Sequence, residues 1–268
     1  MKYIRRLFVN HTAFSLAVLV LLAAAIVVAV IMGSRGGKEY GLQNTENVPE
    51  VSDVYIPAVT DHEPLSGDGR ILFILENDKR TDIIACALMQ FLTRDHAVSV
   101  AMIDPNTQFE GDTLGHLCAI AGPQRLTAAV SAIRDVSIDR YVYMDQSRFT
   151  AAADVFGTFE IEIDRSFSYA SSDKTYRVNP GVVSADSPML YAYYQVLAAS
   201  GDSERIRTLT ELLTITCLRF AATADREQLF SSLMNAVDSD ITIADHYVYA
   251  DDMDRLLSAD VEVKTYGK

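Results

Sequence analysis

The chain has 268 residues, a formal net charge of −13 and three cysteines. That acidity excludes a nucleic-acid binder, whose phosphates demand a basic footprint. The odd cysteine count argues against a complete disulfide framework.

The three N-terminal basic residues Lys2, Arg5 and Arg6 precede an apolar run from Thr12 to Gly33 that contains no Asp, Glu, Lys or Arg. The run is long enough to cross a hydrocarbon core of ~30 Å as a helix. A cleaved signal would have a shorter apolar region of ~7–15 residues and a small-residue cleavage site. Although Ala23, Ala24 and Ala25 are small, the run stays rich in Val, Leu and Ile on both sides of them, which favours an uncleaved anchor. The positive-inside rule then leaves residues 1–11 as a cytoplasmic stub, 12–33 as the transmembrane anchor and the rest outside. No acidic residue lies before Glu39, so that outer part is even more acidic than the whole chain.

Residues 34–69 read as an extracytoplasmic linker, with Gly36, Gly37, Pro49, Pro57 and Pro64 among polar residues of no sustained period. The folded domain is expected over 70–268. Ile71 to Leu75 is a continuous apolar run, as a fully buried strand requires. Asp82 to Leu92 and Ala97 to Ile103 read as strands joined by a hairpin turn at Thr93–His96. Pro123 can open a helix, and Leu126, Ala129, Val130 and Ile133 form its apolar face.

Tyr141 to Met144 reads as a short strand, and Phe149 to Phe156 as a helix closed by Gly157. Phe159 to Ile163 alternates as a half-exposed strand does, and Ser166 to Gly181 reads as polar and irregular. Helices are expected from about Ser187, Ser203 and Asp225, then a short one at Met253 to Leu257 and a strand at Val261 to Thr265. Interleaved strands and helices indicate an α/β or α+β fold, with a mixed central sheet flanked by helices. Cys86, Cys118 and Cys217 each lie in apolar surroundings and read as buried structural thiols.

Several short blocks carry a resemblance. They are Asp78-Lys79-Arg80-Thr81-Asp82 after the first strand, Met102 to Thr107 after the hairpin, Leu114 to Pro123, Ala153 to Phe159, and Gly201-Asp202-Ser203-Glu204-Arg205. Their order and spacing resemble the LytR–CpsA–Psr (LCP) family of bacterial cell-envelope proteins, over roughly Arg70 to Leu257. The resemblance implies an LCP-like mixed sheet. It also implies transfer of a glycopolymer from a polyprenyl-pyrophosphate carrier to peptidoglycan, outside the membrane. In the family pattern the acidic residues hold a magnesium ion and the arginines hold a pyrophosphate. Carried over, this makes Asp78 and Asp82 metal candidates, Arg80 and Arg205 ligand-binding candidates, and Arg80 and Asp82 catalytic candidates. Hard carboxylate oxygens suit magnesium, and the guanidinium fork suits phosphate.

The departures are as informative. Glu76 stands where the pattern has glycine. Pro105 and Asn106 stand where it has arginine and aspartate, and Met189 to Gln195 lacks its arginine pair. His116 could be imagined as a base, but without a nearby carboxylate it reads as structural. The resemblance therefore implies a domain that binds a lipid-linked glycan, or another isoprenoid lipid, with little or no catalysis, as a scaffold or regulator. A divergent but active phosphotransferase and an unrelated membrane-anchored sensor are the alternatives.

The topology is directly testable. Protease added to intact protoplasts is expected to remove the domain after Gly33, whereas protection until lysis would place it on the cytoplasmic side.

Overall fold

The computed structural model of the protein describes residues 69–77, 79, 81–171, 174–248 and 250–265. The expected stub, anchor and linker, all but Gly69, lie outside these residues. Among the described residues no helix is long and apolar enough to cross a membrane.

The first three strands are β1 (Arg70–Glu76), β2 (Ile83–Leu92) and β3 (Ala97–Met102). A one-turn helix at Thr93–Asp95 and a left-handed His96 (φ 48°) join β2 to β3 at the expected hairpin turn. A small hairpin follows, β4 (Gln108–Phe109) with β5 (Asp112–Thr113), and leads into α1 (Leu114–Arg134). Gly122 (φ 80°, ψ 178°) breaks α1 into two segments. The helix thus begins nine residues before Pro123, which opens only its second segment.

Next come β6 (Arg140–Met144), α2 (Gln146–Asp154), β7 (Phe159–Ile163), β8 (Phe167–Ser171), β9 (Lys174–Val178) and β10 (Gly181–Ala185). The C-terminal part comprises α3 (Ser187–Ala199), α4 (Ser203–Thr223), α5 (Arg226–Ala236), β11 (Asp238–Ser239), α6 (Ile243–Val248), α7 (Ala250–Leu257) and β12 (Glu262–Thr265). Asp186, Asp202 and Asp225 cap α3, α4 and α5, each accepting a backbone N–H three residues on.

The central sheet has the order β11-β6-β1-β2-β3-β12. β1 runs antiparallel to β2 and parallel to β6, and β2 runs antiparallel to β3. β1, β3 and β6 therefore point the same way, and the loops leaving them emerge along one edge. Ile71, Phe73 and Leu75 face the layer built by α2, α3, α4, α5 and α7. Leu72 and Ile74 face the layer formed by α1. With both faces covered, β1 reads as a continuous apolar run rather than an alternating one.

Two expectations need correction. Ser166 to Gly181 is not irregular. Most of it forms the β8–β9 hairpin, whose Phe167 and Tyr169 are buried, and Phe167 stacks on Tyr193 at 5.3 Å. The aromatic positions alternate, but the Ser, Asp and Lys residues between them hide the period. β7 alternates as expected, yet it does not return to the central sheet and pairs instead with β10 in a separate ribbon.

A buried ion pair fastens α6 to the sheet. Arg140 Nε and Nη2 donate to Asp245 Oδ2 and Oδ1 at 2.9 and 2.5 Å, with the two side chains 5% and 7% exposed. Burial pushes the Asp245 carboxyl up, and the hydrogen bonds from Arg140 and Thr242 more than reverse this, leaving it below the usual carboxylate range. Asp245→Ala is expected to cost about 3–5 kcal/mol at neutral pH, because it strands a buried guanidinium. The pair's contribution is fully present above the unfolded carboxyl value of ~3.9 and is lost as pH falls through the lower folded value. Denaturant titrations at pH 7 and in acid should show the gap between mutant and wild type narrowing in acid.

Candidate functional site

At the edge where β1 and β3 end, a cavity of about 700 Å³ opens. Four stretches line it. Thr81 to Cys86 come from the start of β2, and Met102 to Asn106 from the end of β3. Thr113, Gly115 and His116 come from the start of α1, and Ala198, Gly201, Ser203 and Ile206 from the corner between α3 and α4. In open sheets with helical layers, ligands bind outside the carboxyl ends of strands for this topological reason.

Local backbone contacts hold the walls together. Ile103 N donates to Cys86 O at 2.9 Å, Gly115 N to Pro105 O at 2.9 Å and Leu114 N to Thr107 O at 3.0 Å. A Cβ at Gly115 would meet Pro105 at 3.5 Å, so α1 docks closely on the loop after β3. Gly201, at φ 67°, allows the turn into α4.

Two acids face the cavity. Asp82 Oδ2 accepts from Asn77 Nδ2 and Thr81 Oγ1, both at 3.0 Å. Asp104 Oδ1 accepts from Asn106 N at 2.9 Å and Asn106 Nδ2 at 3.1 Å. His116 Nδ1 lies 2.5 Å from Asp112 Oδ2. The hydrogen bond with His116, helped by one from Thr113 N, holds the Asp112 carboxyl below its ordinary value. Among the described lining residues there is no arginine or lysine, and His116 is the one side chain able to carry positive charge.

The sequence model of the LytR_cpsA_psr family matches residues 73–267. The chain belongs to the LytR–CpsA–Psr family. The reading as an unrelated sensor domain is thereby set aside. Solved structures share the fold. TagV from B. subtilis is 11% identical, with a TM-score of 0.55 over 75% of this chain and 84% of its own. A protein from Enterococcus faecalis described as a transcriptional regulator is 17% identical, with a TM-score of 0.57 over 74% and 75% of the two chains. TagT bound to LI-WTA is 12% identical, with a TM-score of 0.54 over 75% and 78%. No protein in the curated comparison matches this sequence.

Four of the five blocks that carried the resemblance to the LCP family supply lining residues of the cavity, and Ala153 to Phe159 supplies none. Asp82 lines it, and Asp78 and Arg80 lie outside the described residues. Arg205 is not among the lining residues, although Ser203 and Ile206 on either side of it are. Its Nε sits 3.0 Å from Asp164 Oδ2 and 3.7 Å from Asp202 Oδ2. Asp164 also accepts from the Tyr193 hydroxyl at 2.8 Å and from Arg165. Burial pushes the Asp164 carboxyl up, and Tyr193, Arg165 and Arg205 together bring it below its ordinary value. Burial, with the Asp164 carboxylate beside it, pushes the Tyr193 hydroxyl up to about 12. Asp82 and Arg205 thus sit in two separate polar groups and form no ion pair with each other. Asp154 is structural, accepting from Ser187 Oγ and tying the end of α2 to the start of α3.

Two features escaped sequence reading. His116 does have a carboxylate partner. Asp112 stands four residues upstream, and the i,i+4 spacing across a helix start was the available signal. Asp104, just before the Pro105-Asn106 departure, also faces the cavity and was not singled out. The apolar segments Ile83 to Leu92 and Leu190 to Leu197 could have lined a lipid tunnel, but the cavity meets the first only at Ile83–Cys86 and the second not at all. Leu190, Tyr191, Tyr193, Tyr194 and Leu197 are buried in the core. Tyr191 and Tyr194 pack on Phe149 at 5.6 and 6.2 Å, and their hydroxyls bond to Glu76 O and Thr210 Oγ1.

The three cysteines are free and buried, as expected. Burial raises all three thiols, Cys118 to about 12 with Glu76 adding to the effect. A thiol reagent such as Ellman's is expected to titrate none of them in the folded chain at pH 8 and all three after denaturation. Rapid modification of Cys86 before unfolding would show that the cavity opens deeper than its resting shape.

Proposed function

We propose that this chain is a membrane-anchored, extracytoplasmic domain of cell-envelope biogenesis that binds a polyprenyl-pyrophosphate-linked glycan with little or no transfer of it. It would serve as a scaffold or regulator. The observation that carries this reading is the charge of the cavity. Family blocks meet there, yet the described lining residues offer two carboxylates and no guanidinium. Arg205 is already balanced by Asp164 and Asp202. That a fold relative, TagT, is bound to LI-WTA supports a lipid-linked glycan as the ligand class.

Phosphoryl-type transfer is catalysed by positioning and by neutralising developing charge. Among the described lining residues a pyrophosphate meets two carboxylates and no fork. A magnesium ion would correct the sign. The donor chemistry fits, since Asp82 and Asp104 present hard oxygens and magnesium commonly takes only one or two carboxylates beside substrate phosphate. Among the described residues, no three His, Cys, Asp or Glu side chains stand close enough for an all-protein cage. The ion would supply attraction for the diphosphate. It would not replace the paired N–H donors that hold a leaving phosphate in line.

The test pairs binding with turnover. The full-length protein in detergent is expected to bind a short prenyl pyrophosphate weakly and only with magnesium, and to transfer no measurable glycan to peptidoglycan. Asp82→Ala should abolish the magnesium-dependent binding. Robust transfer that disappears in Arg80→Ala would overturn this reading in favour of an active phosphotransferase.

A further inference from the structure

Resting on that reading, we propose that Asp164 is an autoinhibitory latch, which holds Arg205 out of the cavity and so withholds a guanidinium from the diphosphate. Arg205 stands on the first turn of α4, between Ser203 and Ile206, and both of these line the cavity. Helical side chains lean toward the start of their helix, and the chain enters α4 through Gly201, itself a lining residue. A Cβ at Gly201 would meet nothing within 4 Å, so the space over this corner is open. The Arg205 side chain nevertheless turns to the end of β7, with Nε 3.0 Å from Asp164 Oδ2.

The polar cluster at this corner is built so that Arg205 can leave it. Arg165 donates through Nε to Asp164, through Nη1 to Ser200 Oγ at 3.0 Å and through Nη2 to Asp202. Arg205 is held more lightly. Among the described residues its guanidinium has one close carboxylate, Asp164, and a second, Asp202, at 3.7 Å. It is also the more exposed of the two arginines, 45% against 34%. When Arg205 turns away, Asp164 keeps the Tyr193 hydroxyl at 2.8 Å and Arg165 Nε at 3.1 Å, so no carboxylate is stranded. A diphosphate offers the departing guanidinium the same fork geometry with more negative charge. The exchange is one ion pair for another, and the grip of Asp164 sets how far it goes. The guanidinium adds to affinity whichever other groups the ligand meets.

Calorimetric titration of the full-length chain in detergent with geranyl pyrophosphate, in excess magnesium at pH 7, reads this out. Asp164→Asn keeps the shape of the side chain and removes the charge that holds Arg205. It is expected to bind about tenfold more tightly than wild type, the size of one charge-assisted hydrogen bond. Adding Arg205→Ala to Asp164→Asn should erase the gain. Adding Arg165→Gln instead changes the net charge equally and should keep it, which separates a released side chain from a general change of potential. Asp202→Ser, whose hydroxyl can still cap α4, loosens the same arginine and should give a smaller gain that also needs Arg205. It carries the test if Asp164→Asn does not fold. Latch variants that bind no more tightly than wild type, a gain that survives Arg205→Ala, or one that Arg165→Gln erases equally would overturn this inference and leave the proposed function standing. Wild type and latch variants that all fail to bind would overturn both.

Discussion

Strand β1 is buried on both faces, and each layer of the domain is laid against it. Its odd-numbered apolar residues require one cover and its even-numbered ones another. The helical C-terminal part supplies the first and α1 the second. The same strand sets direction. β3 and β6 share its sense, so their outgoing loops meet at one edge, and the short loop between β1 and β2 opens there as well. The cavity follows from this arrangement. It is the place where the start of β2, the end of β3, the start of α1 and the α3–α4 corner meet.

Charge decides what that place can do. An arginine that turns toward a cavity acts as a ligand, while one that turns toward a carboxylate acts as a fastener. Arg205 is of the second kind, knitting the α3–α4 corner to the end of β7 through Asp164. The acids that remain in the cavity have their oxygens partly satisfied by Asn77, Thr81 and Asn106. Those neutral partners steady the carboxylates without cancelling them. Among the described lining residues two carboxylates thus stand without a guanidinium or ammonium group.

Much of the framework was legible from residues alone. Ile71 to Leu75 could only be a doubly buried strand, and the hairpin through His96 follows from two strand patterns separated by a turn. Helix starts near Ser187, Ser203 and Asp225 were legible, and the carboxylates that cap these helices, Asp186, Asp202 and Asp225, work locally and need no tertiary context. The β8–β9 hairpin was hidden, since Phe167 is buried by stacking on Tyr193 of α3, distant in sequence, while Tyr169 meets Tyr176 across the hairpin itself. For the site, block order placed Asp82 and the Met102–Asn106 loop on one cavity. The partner of Arg205 could not be read, because Asp164 lies far away in sequence and no period links them. The filled space between β2 and α3 was equally silent, as the same apolar pattern describes a lined tunnel and a packed core.

Glu76 occupies the position where the family pattern has glycine, and its surroundings bear on how the chain can change over generations. It is 3% exposed, accepts from the Tyr143 hydroxyl, and its carbonyl receives the Tyr191 hydroxyl at 3.1 Å. Returning this residue to glycine would take away one acceptor of a buried phenol, a loss of about 1–3 kcal/mol when such a group is left unsatisfied, and would open a void beside Cys118. Domains of this size hold only about 5–15 kcal/mol in reserve. Substitutions placing arginines in the cavity would thus act on a scaffold that already buries a carboxylate at the end of β1. A glycine at the end of β1 would therefore call for compensating changes around Tyr143 and Cys118.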